Sequence, residues 1–115
     1  MSTSVKVVNL AGELVRSTVE DQRELLRNAI DAQPRVLASL TQVTDVDLYG
    51  VQLLYAARSY AERNGRDFSL TGDVSETVAV RLYEAGFVSS ILRDGPSLDQ
   101  ALHGFGDVGE ENNNA

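Results

Sequence analysis

The sequence predicts an α/β layer with parallel central strands, and three observations carry that expectation. Short β-forming runs alternate with longer amphipathic segments, an order that needs crossover connections and so parallel pairing. One of the short runs, Val36-Leu37-Ala38-Ser39-Leu40, is almost continuously apolar, as a buried central strand reads. Helix start and stop signals fall between the runs. Together they lead us to expect about four strands flanked by about four helices, with the sheet mixed at its edge.

Val5 to Leu10 is rich in β-formers and predicts the first strand, broken at Gly12. Ser17-Thr18-Val19-Glu20 has the form of a capping box, in which the Ser17 hydroxyl accepts from a helical amide and Glu20 reaches back. From Thr18 to Asp31, Val19, Leu26 and Ile30 fall at helical spacing, with Leu25 and Ala29 widening the stripe. Pro34 follows that helix. The second helix, about Tyr49 to Asn64, carries Val51, Leu54, Ala57, Arg58 and Ala61 along one side, and Asn64-Gly65 ends it as a left-handed cap.

Asp67 to Thr71 alternates polar and apolar residues, the signal of a third strand. Asp73-Val74-Ser75-Glu76 then offers an N-cap, with Val78, Leu82 and Ala85 on one face of the third helix. Ala85-Gly86-Phe87 has the composition of a Schellman stop. Val88 to Leu92 predicts a short edge strand and Ser97 to His103 a last short helix. Residues 1–103 form one domain on this reading. Residues 104–115, rich in glycine, acid and amide, predict a disordered tail, because they cannot bury enough to offset ordering entropy.

Bulk properties exclude several classes. A chain of 115 residues with 43% hydrophobic and 23% charged residues can bury a core without staples. Cysteine is absent, which removes a disulfide framework, a thiol nucleophile and cysteine metal sites. The N-terminus lacks the pattern of a signal peptide, and no apolar stretch approaches the roughly 20 residues of a membrane helix, so a cytoplasmic protein without membrane insertion is expected. The net charge of −7 and the scattered basic residues argue against nucleic-acid binding. The same charge either favours a partner with a basic face or serves solubility alone.

The stretch Val43-Thr44-Asp45-Val46-Asp47-Leu48-Tyr49-Gly50-Val51-Gln52-Leu53-Leu54 reads as a strand end running through a tight loop into a helix. It resembles the signature loop of STAS domains, the family of bacterial anti-sigma-factor antagonists and of the regulatory tails of sulfate transporters. Leu10-Ala11-Gly12-Glu13-Leu14 resembles the family's opening segment, and Leu82-Tyr83-Glu84-Ala85-Gly86-Phe87 its closing one. The resemblance runs from about Val5 to Leu92. It implies a STAS-like fold and regulation of transcription through protein contact. The Gln52-Leu53-Leu54 variant is most similar to STAS domains found beside bacterial signalling and chemotaxis genes.

In that family a kinase phosphorylates a Ser or Thr just before the loop glycine. Here Tyr49 holds the acceptor position, Leu48 precedes it, and Ser39 stands where the family usually has an Asp. Serine-type switching is therefore not expected. A tyrosine oxygen lies several bond lengths beyond the hydroxyl such a kinase would meet, and phosphate on Ser39, Thr41, Thr44 or Tyr49 would have to arrive by another route.

The resemblance implies a protein partner, an anti-sigma factor or a histidine-kinase-like regulator, held through Asp45, Asp47, Leu48, Tyr49, Gly50 and Gln52 and the exposed side of the second helix. A small STAS subunit of a transporter complex contacting an ATPase is the alternative, and a homodimer is left open. Asp47 reads as a helix N-cap or as a ligand for a partner cation, and the two roles are compatible. Asp45 would make the loop mouth acidic. Leu48 and Tyr49 read either as a contact surface or as a cover over strand ends. Gly50 would let a partner backbone approach closely. His103 has no companion ligands, Ser39 has no histidine constellation, and Gly104-Phe105-Gly106 is no phosphate loop, so neither a metal, a cofactor nor an enzyme is expected.

Overall fold

Three strands and four helices follow one another in the computed structural model, which describes residues 5–102. Their order is β1 (Val5–Leu14), α1 (Val19–Ala32), β2 (Arg35–Val46), α2 (Leu48–Arg63), β3 (Asp67–Thr71) and α3 (Glu76–Glu84), then α4 over residues 95–102. The sheet order is β1-β2-β3 and both pairings are parallel. Helices therefore make both crossovers, as parallel strands require. The expected tail and His103 lie outside the described residues.

One continuous core joins the sheet to the helices. Val8 and Leu10 from β1, Val36, Ala38 and Leu40 from β2, and Phe68 and Leu70 from β3 are buried against Leu26 and Ile30 of α1 and Leu53, Leu54 and Ala61 of α2. At the C-terminal ends of β1 and β2, Leu14, Val43 and Val46 meet Val78 and Leu82 of α3 and Leu98 and Leu102 of α4. On α1 the buried stripe is Val19, Leu26, Ala29 and Ile30, while Leu25 is exposed. On α3 the buried set is Val78, Ala79 and Leu82, and Ala85 lies outside it.

The cap signals mostly hold. Ser75 Oγ accepts from the Val78 amide at 3.2 Å at the start of α3. Both expected left-handed stops are Schellman motifs: Phe87 N–H donates to Leu82 O with Gly86 at φ 86°, and Arg66 N–H donates to Ala61 O with Gly65 at φ 68°.

Four expectations are corrected. The first strand does not end at Gly12. It runs on to Leu14 because Gly12, at φ 78°, sits in an irregularity where the register against β2 shifts. Next, the Ser17 capping box does not form. Thr18 N–H closes a turn on Val15 O at 2.8 Å, which starts the helix one residue later, and the Thr18 hydroxyl donates to Glu13 O at 2.6 Å. Val88 to Leu92 is not a strand: it bends back over the core, buries Val88, and only an isolated antiparallel bridge, Asp73 to Asp94, follows it. The α/β fold with parallel central strands is as expected, and the three strands, all parallel, are close to the expected count of about four. Finally, the last helix starts before Ser97, since Asp94 caps it by accepting from the Ser97 amide at 2.8 Å.

β2 also extends further than its apolar run. It continues from Leu40 to Val46 because the upper part of β1 pairs with it, from Ala11 opposite Gln42 to Leu14 opposite Val46. The strand therefore delivers the chain directly to Asp47, and the loop before α2 is a single residue long.

Candidate protein-binding site at the start of the second helix

Asp47 fixes this junction. Its Oδ1 accepts from the amides of Tyr49 at 2.9 Å and Gly50 at 3.1 Å, satisfying two orphan donors of the helix. Its Oδ2 accepts from the Arg16 amide at 3.1 Å, tying in the turn after β1. The Asp47 amide donates to Leu14 O at 3.2 Å. Three elements thus meet at one carboxylate, and Asp47 acts as the cap.

Gly50 lies on the inner side of the same turn and is buried. A β-carbon built there would stand 2.2 Å from Leu14 O and 2.7 Å from Val46 Cγ2. This corrects the expectation that the missing side chain opens a path for a partner. The space is already filled by β1, and glycine is needed because α2 begins in contact with that strand.

Asp45 is not a free charge at the loop mouth either. It lies on β2, half-buried, with its carboxylate in an ion pair to Arg81 of α3, where Nη2 to Oδ2 is 3.2 Å. Burial acts to raise its pKa. The Val46 amide at 2.8 Å and the Arg81 guanidinium outweigh that and hold the carboxyl below the usual range.

What remains outward is apolar. Leu48 and Tyr49 are 49% and 42% exposed on a capped first turn, and Gln52 follows one turn on. Since Tyr49 is exposed, it does not cover the strand ends. The Arg16 guanidinium lies 5.6 Å from its ring centroid, within cation–π range. Tyr49 and Gln52 form one end of a groove of about 310 Å³ between α1 and α2, floored by Val19, Leu26, Ile30 and Leu53 and closed at its other end by Tyr60 and Arg63.

The structure brings together Asp47, Leu48, Tyr49 and Gln52 at one surface, and it assigns Gly50 and Asp45 to the fold. Ser39 is buried, with its hydroxyl 3.3 Å from that of Thr41. A Cβ at Gly72 would meet both hydroxyls, so the pair faces the turn after β3. Two features escaped the sequence reading. Arg58, placed on the core side of the second helix, is matched by Asp99 of α4, whose Oδ1 also accepts from the Leu70 amide at 3.1 Å. The α1–α2 groove left no local signal, because its walls come from residues about thirty positions apart. Among the described residues no cluster of His, Asp and Glu could hold a metal, and no helix is long and apolar enough to cross a membrane.

With this geometry in hand, comparison with known proteins gives two findings. The family model described as "Mlab, STAS domain" matches residues 1–84. A solved structure of the anti-sigma factor antagonist SpoIIAA in its unphosphorylated form superposes with a TM-score of 0.56 at 23% identity, covering 75% of this chain and 76% of that one. At that identity the likeness is one of fold. No curated protein matches the chain.

Proposed function

We propose that this chain, which belongs to the STAS domain family, is a non-enzymatic regulatory protein that works by binding another protein through Leu48, Tyr49 and Gln52 at the start of α2. The observation that carries the proposal is the contrast within one helical turn. Asp47 and Gly50 are committed to holding the turn rigid, while Leu48 and Tyr49 stand exposed beside it. Large exposed apolar side chains on a fixed backbone lose little entropy on binding, and tyrosine is enriched at interface hot spots.

The fold shared with an anti-sigma factor antagonist supports an anti-sigma factor or a related histidine-kinase-like regulator as the partner class. Tyr49 at the family's acceptor position supports a contact that is not switched by Ser or Thr phosphorylation there. A second reading, a STAS subunit of a transporter complex contacting an ATPase, stands beside it on membership of the STAS family alone. A homodimer through the same surface is compatible with both.

Affinity purification of the tagged full-length chain from its native cells, followed by calorimetry with each recovered protein, tests the proposal. A histidine-kinase-like protein that binds the purified chain directly is the expected result. Recovery of a transporter ATPase would select the second reading. Catalytic turnover by the chain alone would overturn both.

A further inference from the structure

We propose that the groove between α1 and α2 receives an acidic amphipathic helix of a partner protein. The net charge of −7 suggests the opposite, a partner with a basic face. The distribution of charge reverses that expectation locally, because Arg23, Arg27 and Arg63 and no carboxylates line the groove, and of these only Arg23 is ion-paired, to Glu20.

Five ion pairs occupy Arg23, Arg35, Arg58, Arg81 and Arg93 among the described residues. Of the four arginines that form no ion pair there, Arg66 donates to Asp31 O away from the groove, and Arg16, Arg27 and Arg63 stand exposed around this one groove. Two of them are held over aromatic rings at its ends, Arg16 over Tyr49 and Arg27 over Tyr60 at 5.1 Å. The Tyr60 hydroxyl is fixed in turn by donating to Asp31 at 2.6 Å. Guanidinium groups stacked on rings keep their outer N–H donors free for a carboxylate and lose less freedom when they bind one.

Shape selects the rest of the ligand. The floor is apolar, and the 14-residue α1 that forms one wall is about 21 Å long, enough for roughly four turns of a helix laid alongside. A helix with apolar residues at i, i+3, i+4 and i+7 would fill the floor and present flanking carboxylates to the arginines. A nucleic acid or an anionic membrane would satisfy the charge but not the narrow apolar floor.

The inference rests on the reading that the surface around Tyr49 meets a protein, yet its test does not need that protein. The probes are three synthetic helical peptides of about 14 residues, matched to α1, with one leucine face and with Glu, Gln or Lys at the flanking positions. Binding to the full-length chain is measured by fluorescence polarisation. The Glu peptide is expected to bind at least roughly tenfold tighter than the Lys peptide, with the preference falling as salt rises. Arg27→Glu with Arg63→Glu should reverse the order, while Arg35→Glu with Arg93→Glu, away from the groove, should not.

Equal binding of all three peptides, or none, would overturn the inference. So would tighter binding to anionic phosphatidylserine vesicles than to the Glu peptide, or binding that appears only once residues 104–115 are removed, which would give the groove to the chain's own acidic end. Peptide binding in the expected order, with a partner indifferent to Tyr49→Ala, would sink the proposed function and leave the groove chemistry standing. The converse result would separate the two in the other direction.

Discussion

Replacing Gly50 with alanine adds one methyl group where α2 touches β1, and the structure gives its consequence. The new carbon would stand 2.2 Å from Leu14 O, against 3.4 Å for the start of ordinary contact, a shortfall of about 1.2 Å. The obstacle is backbone, so it cannot rotate away. The first turn of α2 must retreat, which lengthens the Asp47 N–H to Leu14 O bond beyond its present 3.2 Å. Overpacking costs about 1–3 kcal/mol. Losing that hydrogen bond adds about 1 kcal/mol. Alanine returns up to about 1 kcal/mol through helix propensity. The net expectation is a destabilisation of about 1–4 kcal/mol, or a fall in Tm of roughly 4–16 °C for a domain of this size. Urea unfolding followed by circular dichroism reads the first quantity and a thermal melt the second. A variant as stable as the parent would mean that Gly50 is not a packing glycine, and its role at a partner surface would return.

Three further outcomes follow from the same structure. Asp99→Ala leaves Arg58 buried without its partner and Leu70 N–H without its acceptor, so a loss of about 3–5 kcal/mol is expected by urea unfolding; a loss below about 1 kcal/mol would show that the pair is dispensable. The folded Asp45 carboxyl titrates below its ordinary 3.8, so its stabilising contribution is complete above that pH and disappears as pH falls through the lower folded value. Asp45→Asn should therefore flatten the acid limb of the stability curve in that window and leave the slope near neutrality unchanged; an unaltered acid limb would refute the assignment. Incubation with ATP and a kinase co-purified with the partner should leave the peptide from Val36 to Arg58 unmodified by mass spectrometry, and stoichiometric phosphate on Ser39, Thr41, Thr44 or Tyr49 would contradict this.

Local chemistry made much of this fold readable before the structure. The Asp47 and Ser75 caps, the stops at Gly65 and Gly86 and the bounds of Asp67–Thr71 all depend on residues within about five positions of one another, and all hold. Misreadings came where distant partners decide. The upper half of β2 contains Thr41, Gln42, Thr44 and Asp45, lies beyond the apolar run Val36–Leu40, and reads only as a strand end entering a tight loop. It is a strand because β1, some thirty residues earlier, continues past Gly12 to pair with it. Val88 to Leu92 has strand composition but no strand beside it, so it packs as an irregular cover.

The candidate site divides the same way. Capping by Asp47 follows from sequence, and exposure of Leu48 and Tyr49 fits their place on a first helical turn. The packing of Gly50 against Leu14 and the pairing of Asp45 with Arg81 are tertiary, and no periodicity reports them. Net charge misled for a related reason. It is a sum over the chain, while three of the four arginines without an ion pair are gathered at one groove by the way α1 lies against α2.

Titration calorimetry of the purified partner against Tyr49→Ala tests the central claim most directly. The side chain is exposed and the Asp47 cap uses only the Tyr49 amide, so the variant should melt like the parent. Affinity should fall by about 2 kcal/mol or more, close to thirtyfold in Kd. Tyr49→Asp should bind still more weakly, since it places a charge in an apolar contact. Tyr83→Ala, an equally exposed tyrosine on α3, should bind like the parent. Full affinity in folded Tyr49→Ala and Tyr49→Asp would contradict the claim and move the interface away from the start of α2.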